Sequence, residues 1–483
     1  MAGMGAPFFL MACALAPSPA AALSAAAGKV DITPRAGVHR TYIAGYGDRG
    51  RPIEGVRDPL FARAVVVSDG RRTVALVSVD LLGLFRNDVL EIRRLAGYEG
   101  TGRSLFLAAT HTHSGPDTLG LWGRFPGFSG VDRGYLRELR GKVASLVMDL
   151  GKRLVPASLT VGSAHVPPEG HCRDTRDPVV MDAQLVAARL SREGGAPIAT
   201  LVNWSCHAEA LGPVNRLLSA DFPGVLCRSL EAGGGTCLFW PGSIGGMMSP
   251  DRLTDVGNLE GSLAAMDRIG SDLAASAESA LRGRSHERGA RLEFRSVTVR
   301  LPVENSRYLL FLPSLAAGHE VLSAAGTPLG TWTVHLRRLR HLFLPIRTAF
   351  PQIETEVARV RLGSLEILGL PGEIFPELVV AGYQGQRTFG RPLVRPSNPD
   401  PPEVARAPGP PYLKDLMRGP NKMLVGVAND MMGYIIPEYD FKVSRGRAMV
   451  PEPPGDHYEE TNSIGPSAAP ILLRAASALL GSP

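Results

Sequence analysis

Two histidines, His111 and His113, follow an apolar run at residues 105–110. A short run without charged side chains predicts a buried strand, and Gly115 and Pro116 predict a loop directly after it. Side chains alternate along a strand, so we expect both imidazoles to point to the same side. Such a pair could supply a metal ligand and its catalytic partner. The alternative is a pair of polar strand-end residues bonded to backbone carbonyls.

Two more side chains of metal-binding type follow predicted strands elsewhere in the chain. His207 comes after the apolar run 198–203, and Glu373 follows a strand, turn and strand predicted over residues 357–370. Imidazole nitrogens and carboxylate oxygens are ligands that zinc takes from proteins. If these distant strand ends meet at one point, His111, His207 and Glu373 could bind one metal ion together.

Ser249 and Arg173 are polar residues in predicted turns. Ser249 lies in the glycine-rich turn after the strand predicted at 237–240, and Arg173 lies in the segment GHCRDTRDP at 170–178. A serine held in such a turn could face a cleft, and a guanidinium near a metal could bind a substrate oxygen. The alternatives, an ordinary turn serine and a solvated arginine, stay open.

Strands and helices alternate along the chain, and the pattern of a strand followed by a candidate ligand recurs. We therefore predict a mixed α/β (α+β) fold, with one large catalytic domain over residues 28–483 and a central mixed β-sheet flanked by helices. The candidate ligands would lie at strand ends. The other predicted strands are residues 62–68, 73–78, 158–163, 182–191, 292–301 and 423–428, and the predicted helices are residues 87–96, 132–152, 259–281, 468–480 and one that starts within 217–224.

Asp80 closes the predicted strand 73–78. Its carboxylate could orient a histidine, but we prefer a role as the cap of helix 87–96. Residues 392–420 are rich in proline and polar residues. We interpret them as an ordered surface loop or lid rather than a linker between domains.

Composition excludes some classes of protein. Hydrophobic residues make up 44% of the 483 residues and charged residues 20%, as in a soluble globular protein. The formal net charge is +6, and the basic residues are spread without a Lys/Arg block. This distribution argues against a nucleic-acid partner.

Residues 1–27 predict a secretory signal peptide because they carry no charged side chain and have an apolar core at 7–16. We expect cleavage between Ala20 and Gly28 and an exported protein, periplasmic or extracellular. The alternative is a lipoprotein leader acylated at Cys13. Four further cysteines could form one or two disulfides or remain buried thiols: Cys172, Cys206, Cys227 and Cys237.

Several short words, in this order along the chain, resemble the neutral, non-lysosomal ceramidase family. They extend over nearly all of the chain after the leader, and it is their number and order that make the resemblance specific. The words are GYG (45–47), VDL (79–81), ATHTHSGP (109–116), NWSCHAEALG (203–212), SADFPG (219–224), GMMSP (246–250), LPGE (370–373), NDMMGYI (429–435) and HYEE (457–460).

The resemblance implies a zinc site made of His111, His207, Glu373 and Tyr434. Tyr434 is nominated by the resemblance alone, since nothing in the sequence pattern singles out a tyrosine. Zinc lowers the pKa of bound water from about 15.7 to about 7, and the hydroxide so formed would attack the amide carbonyl of ceramide or a related N-acyl lipid. The implied partner is thus a small lipid or amide, with peripheral contact to a membrane.

The resemblance also implies roles for the other candidates. His113 matches the catalytic histidine, which would pass a proton to the leaving amine, and Arg173 matches an arginine that contacts substrate. Tyr434 and Arg173 would stabilise the oxyanion. Ser249 matches a serine proposed as nucleophile or head-group contact. We prefer hydroxide as nucleophile because no His–Asp pair is dedicated to activating Ser249.

Two departures from the family bear on the substrate. Met247 stands where the family commonly has an acid, and the family's C-terminal β-sandwich domain is not expected in this chain. Ceramide is therefore a less secure prediction than amide hydrolysis. The alternatives are a zinc hydrolase of another amide or ester, and a lipid- or glycan-binding relative without turnover. The sequence predicts no oligomeric state.

Overall fold

The structure is a computed structural model. It describes residues 22–483 except 101, 127, 253–257, 306, 309–317, 331, 335, 337–349, 444–452 and 482–483. The strands are β1 Ser24–Asp31, β2 Gly55–Val56, β3 Phe61–Ser68, β4 Thr73–Val79, β5 Arg103–Ala109, β6 Val155–His165, β7 Arg173–Asp174, β8 Gln184–Arg192, β9 Pro197–Trp204, β10 Leu217–Leu218, β11 Thr236–Pro241, β12 Met247–Met248, β13 Leu292–Pro302, β14 Val321–Leu322, β15 Gln352–Leu362, β16 Leu365–Gly369, β17 Glu373–Ile374, β18 Asn421–Val425 and β19 Tyr434–Ile435. The helices are α1 Arg86–Ala96, α2 Arg133–Gly151, α3 Asp221–Glu231, α4 Leu259–Leu281, α5 Glu377–Val380, α6 Leu413–Leu416, α7 Tyr458–Thr461 and α8 Ala468–Gly481.

A mixed sheet of eight strands forms the centre of the fold, in the order β11-β9-β8-β6-β1-β3-β4-β5. The pairs β11/β9 and β4/β5 are parallel, and the others are antiparallel. Both faces of β3 are buried, with Val66 in one apolar cluster and Val65 in another. A strand covered on both faces has a continuous apolar sequence, and this explains the runs that predicted the sheet.

A second sheet, β13-β15-β16-β18, covers one face of the first. Phe106 of β5 packs in the same buried cluster as Val360 of β15 and Met423 of β18. Helices cover the other face: α2 contributes Leu139 to one apolar cluster, and α4 contributes Ile269 to another. The prediction of a mixed α/β fold with a central mixed sheet flanked by helices is confirmed.

Two predictions of detail differ from the structure. Asp80 neither caps a helix nor orients a histidine; it is buried and accepts hydrogen bonds from Arg63 Nη1 (2.5 Å) and the Phe61 amide (2.8 Å). The antiparallel register of β3 and β4 brings Arg63 beside the end of β4, and burial requires the carboxylate to have a cationic partner. Of the two alternatives left open for Cys172, Cys206, Cys227 and Cys237, the structure has buried free thiols; Cys227 Sγ lies 2.8 Å from Cys237 Sγ.

The second difference concerns the backbone at the histidines. Strand β5 ends at Ala109, and His111 has φ 62°, in the left-handed region. Strand alternation therefore does not extend to His111 and His113. Their rings nevertheless lie 5.0 Å apart, because the loop after β5 turns them toward each other.

Residues 1–21 of the predicted leader lie outside the described residues. Strand β1 begins at Ser24 and pairs with β3 from that residue onward, so residues 24–27 belong to the central sheet. Among the described helices, none is long and apolar enough to cross a membrane. Residues 392–420 form an ordered surface segment with the short helix α6, and Lys414 in that helix binds Asp182 (2.7 Å).

Candidate metal centre and cleft

Loops after four strands bring the predicted ligands to one edge of the two sheets. His111 follows β5 and His207 follows β9 in the central sheet, while Glu373 and Tyr434 follow β16 and β18 of the second sheet. Glu373 and Tyr434 are paired residues in the parallel strands β17 and β19. A bridge between Thr112 and Ala208 joins the two histidine loops.

Each of the two histidines has one ring nitrogen fixed by a backbone carbonyl. His111 Nδ1 lies 2.7 Å from the carbonyl oxygen of Leu82, and His207 Nδ1 lies 2.9 Å from that of Met247. A carbonyl accepts, so Nδ1 carries a proton in both rings, and Nε2 is the nitrogen that faces Glu373 and could bind a metal. Met247, which stands where the family has an acid, thus orients His207 through its backbone.

Both Nε2 atoms converge on the carboxylate of Glu373. Glu373 Oε2 lies 2.9 Å from His207 Nε2 and 3.6 Å from His111 Nε2. Burial alone would raise the pKa of Glu373, but His111 and His207 hold it well below its usual range. Tyr434 is buried beside this group, with its ring 6.3 Å from that of His207. Burial foremost, and then the charge of Glu373, raise the pKa of Tyr434 well above 10, so its phenol stays protonated.

His113 completes a group of three buried imidazoles with His111 and His207. Each of the three offers a nitrogen, and these nitrogens lie within 4.8 Å of one another. Neither ring nitrogen of His113 has a hydrogen-bond partner, although the ring is buried. Burial and the two neighbouring histidines hold the pKa of His113 well below its usual value, so the ring is a neutral base at pH 7.

The wall behind His113 leaves no free space. A Cβ at Gly45, which has φ +105°, would lie 2.7 Å from the imidazole, so only glycine fits there. The ring of Tyr46 packs edge-on at 5.0 Å, and Glu209 Oε2 lies 3.5 Å from His113 Nδ1. Arg51 donates to the carbonyl oxygen of His113.

Glu209, Tyr46 and Arg51 were not nominated from the sequence. Glu209 was visible as an acid two residues after a candidate ligand, inside the word NWSCHAEALG, and Tyr46 was visible inside GYG. Arg51 gave no signal, because its partners are backbone carbonyls of distant loops. Tyr308 and Tyr458 also line the cleft without having been nominated.

Ser249 lies directly beneath the His207 loop. Its Oγ donates to the carbonyl oxygen of His207 (2.7 Å) and accepts from the Glu209 amide (3.3 Å). Neither partner is a base that could take the hydroxyl proton. The observed contacts therefore hold the loop that carries His207, and a direct role of Ser249, as nucleophile or as a contact to the substrate head group, stays a prediction.

Arg173 lies in β7, which pairs with β12 beside Ser249. Its Nη1 donates to the carbonyl oxygen of Pro250, so the guanidinium is already partnered, and contact with substrate stays a prediction.

A cleft with an accessible volume of about 70 Å³ opens over His111, His113, Glu373 and Tyr434. Its wall is mostly apolar and aromatic, the composition typical of sites for small organic molecules. The other lining residues are Gly45, Leu82, Phe85, Leu119, Leu121, Trp122, Tyr308, Met431, Gly433, Tyr458 and Asn462.

The residues present fit a divalent metal ion. Two imidazole Nε2 atoms with fixed tautomers and one ionised carboxylate meet in a buried position, and the unpartnered nitrogens of His113 lie beside them. This donor set of nitrogen and oxygen atoms is the one that zinc uses in catalytic sites. The three-imidazole group is an alternative donor set at the same place.

Comparisons with known proteins agree with this description at the level of the fold. No family model matches the sequence. One similar solved structure is the neutral ceramidase from Pseudomonas aeruginosa, with TM-score 0.62 and 18% identity over 95% of this chain and 74% of that chain. A ceramidase complexed with C2 has TM-score 0.64 and 17% identity over 95% of this chain and 75% of that chain. The resemblance indicated by the sequence words is therefore confirmed in three dimensions: this chain has the fold of the neutral ceramidases.

Proposed function

We propose that the protein is a zinc-dependent amidohydrolase that cleaves the N-acyl amide bond of ceramide or a related N-acyl lipid. The observation that carries the proposal is the convergence of His111 Nε2, His207 Nε2 and the Glu373 carboxylate beside the unpartnered ring of His113. The apolar cleft wall supports an acyl chain as part of the substrate. The fold shared with two ceramidases supports the same substrate class.

The residues around the candidate metal site have separate roles in the proposed reaction. Zinc held by His111, His207 and Glu373, with Tyr434 as a fourth group, would act as a Lewis acid and lower the pKa of water from about 15.7 to about 7. His113, neutral at pH 7, takes a proton at a free ring nitrogen as water attacks and gives it to the leaving amine. The Tyr434 phenol donates to the developing oxyanion.

Two side chains have restricted roles in this scheme. Arg173 would reach a substrate oxygen only by exchanging its bond to the Pro250 carbonyl. Ser249 positions the loop of His207. We therefore expect Ser249→Ala to retain turnover within about tenfold, because the loop keeps its other bonds.

The test is a zinc determination coupled to fatty acid release from ceramide, with and without chelator and with zinc added back. We expect about one zinc per chain, and loss of both zinc and turnover in His111→Ala. His113→Gln is the matched variant: it should keep zinc and lose turnover by about 10²- to 10⁴-fold. Turnover that survives complete zinc removal would refute the proposal.

A substrate panel separates the alternatives. Ceramide, other N-acyl lipids, small amides and esters are compared with the same zinc-loaded protein. A preference for small amides or esters would support a zinc hydrolase but contradict a lipid substrate. A zinc-loaded protein that cleaves nothing in the panel would indicate a binding protein instead.

We also infer that the protein is exported, because residues 1–27 have the composition of a secretory leader. Sequencing the N-terminus of the mature protein tests this inference. A cut before Ser24 would leave strand β1 complete. An unprocessed N-terminus on protein confined to the cytoplasm would refute the inference.

A further inference from the structure

The loop at residues 117–130, here named the cleft loop, exposes two aromatic side chains at its tip. Position 127 lies outside the described residues. Phe125 is 56% exposed and Phe128 is 65% exposed, and their rings lie 6.3 Å apart. Phe128 N donates to the carbonyl oxygen of Phe125 (3.1 Å), so the two side chains share one turn. Adjacent exposed phenylalanines are unusual on a protein surface in contact only with water.

The base of the cleft loop is held by one buried carboxylate. Asp117 Oδ1 accepts from the amides of Leu119 (3.0 Å) and Gly120 (2.8 Å), and Oδ2 accepts from those of Trp122 (3.1 Å) and Gly130 (3.0 Å). Asp117 thus ties the two ends of the loop together. The two phenylalanines lie between these two tied ends of the loop.

The cleft loop is also part of the cleft wall. Leu119, Leu121 and Trp122 line the cleft together with His111 and His113. Along the chain, Gly123 and Arg124 alone separate Trp122 from Phe125, so part of the cleft wall and the exposed tip belong to one loop.

The charge of the loop tip and its exposed apolar area indicate which kind of partner the tip contacts. Arg124 lies 5.4 Å from the centre of the Phe125 ring and is exposed, so the tip pairs two aromatic side chains with a cation. A phenylalanine buries about 150–250 Å², so two side chains that are 56% and 65% exposed offer roughly 180–300 Å². This is far below the roughly 800 Å² per partner of a stable protein interface. Binding to a bilayer has no such minimum area: its strength grows with the buried apolar area and with the attraction of basic residues to anionic lipids.

We propose that the cleft loop docks the protein on a lipid bilayer that contains anionic lipids. Phe125 and Phe128 enter the boundary between head groups and acyl chains, and Arg124 lies against the anionic head groups. The mouth of the cleft then faces the membrane. Only the delivery of an N-acyl lipid from that membrane rests on the proposed function; docking itself does not.

Sedimentation with vesicles of phosphatidylcholine and phosphatidylglycerol tests docking without any turnover. The double variant Phe125→Ser/Phe128→Ser should bind these vesicles roughly 10- to 100-fold more weakly, from the loss of two half-buried phenylalanines. The matched control is Leu95→Ser/Met148→Ser, which removes two exposed apolar side chains from α1 and α2 (38% and 44% exposed) and should leave binding unchanged. Binding to pure phosphatidylcholine, or in high salt, should be weaker because Arg124 loses its partner.

Turnover gives the second readout. The double variant should lose activity on ceramide in vesicles by a similar factor and keep it on a water-soluble short-chain acyl amide. Vesicle binding within twofold of the wild type, or an equal loss in the control variant, would overturn the proposal. So would a dimer in solution that dissociates in the double variant while vesicle binding is absent. A protein that docks as described but hydrolyses no amide would refute the proposed function alone.

Discussion

Replacing Arg51 by methionine should destabilise the protein and disturb the site together. Arg51 is 7% exposed, and its guanidinium joins three loops. It donates to the carbonyl oxygens of Ala44 (2.8 Å) and Asn215 (3.0 Å), and also to that of His113. Methionine keeps the length of the side chain and removes all of these donors.

The expected loss of stability in Arg51→Met is the difference between the contribution of the hydrogen bonds and the cost of burying the charge. A hydrogen bond to a charged group contributes about 1.5–3 kcal/mol, so the three bonds sum to about 4.5–9 kcal/mol. Burial opposes this, since it is the main reason that the pKa of Arg51 is lowered from 12.5 to about 10. At about 1.4 kcal/mol per pKa unit, that lowering costs about 3 kcal/mol. We therefore expect Arg51→Met to reduce the free energy of unfolding by about 4 kcal/mol.

Urea unfolding followed by circular dichroism measures this loss, with chelator present so that metal binding does not contribute. Turnover with zinc restored gives the effect on the site, which should fall because the His113 carbonyl is released. Arg137→Met, an exposed arginine of α2, is the control and should change neither quantity. A loss of less than 1 kcal/mol in Arg51→Met, with turnover intact, would refute the reasoning.

Three further predictions concern buried carboxyl groups. Glu373→Gln should weaken zinc binding by roughly 10²- to 10³-fold, because one of four ligands contributes about a quarter of the 10–16 kcal/mol typical of a zinc site. Competition with a chelator measures the zinc affinity. A change below tenfold would show that Glu373 is not a zinc ligand. Burial raises the pKa of Asp221 from 3.8 to about 6, so the folded state holds a proton that the unfolded state releases. The contribution of the protonated Asp221 carboxyl to the free energy of unfolding is therefore complete below about pH 4 and falls by about 3 kcal/mol as the pH rises through 6. Between pH 4 and pH 7.5, the free energy of unfolding of the wild type should fall by about this much more than that of Asp221→Asn. An equal change with pH in the two proteins would contradict the prediction. Asp80→Ala leaves the cation of Arg63 buried without its closest partner and should lower the free energy of unfolding by about 3–5 kcal/mol. The zinc affinity of this variant should stay unchanged. A loss of zinc would instead indicate that Asp80 orients a histidine.

Much of the fold could be predicted from the sequence because its elements are locally determined. The helix predicted at 259–281 is α4, Leu259–Leu281, where Asn258 caps the first turn by accepting from the Glu260 amide. The apolar runs 62–68 and 73–78, separated by Asp69 and Gly70, form the antiparallel pair β3 and β4. In both cases neighbouring residues contain the whole signal.

The packing of the two sheets could not be predicted, because it depends on contacts between residues far apart in the chain. Asn203 of β9 donates to the carbonyl oxygen of Leu424 in β18 (2.9 Å), a bond between the two sheets that no local pattern indicates. The left-handed backbone of His111 is another such feature, since a histidine at the end of an apolar run predicts only extended backbone. Arg63 became the partner of Asp80 through strand register alone.

The candidate site divides in the same way. The residue types and strand-end positions of His111, His207 and Glu373 were evident in the sequence, and the structure brings their ligand atoms together. The surroundings of His113 were not evident, because Glu209 approaches its Nδ1 from another loop to 3.5 Å and neither ring nitrogen has a hydrogen bond. A sequence pattern identifies side chains of suitable chemistry, whereas their neighbours follow from the tertiary structure.

The most direct test of the metal centre is a crystal structure of the zinc-loaded protein with anomalous data collected on both sides of the zinc absorption edge. We expect one strong zinc peak about 2.0–2.2 Å from His111 Nε2, His207 Nε2 and a carboxylate oxygen of Glu373. His113 should lie next to this peak without binding it, and Tyr434 should lie on its open side. A peak bound to the three histidines without Glu373, or no peak in this cleft, would contradict a zinc site made of His111, His207 and Glu373.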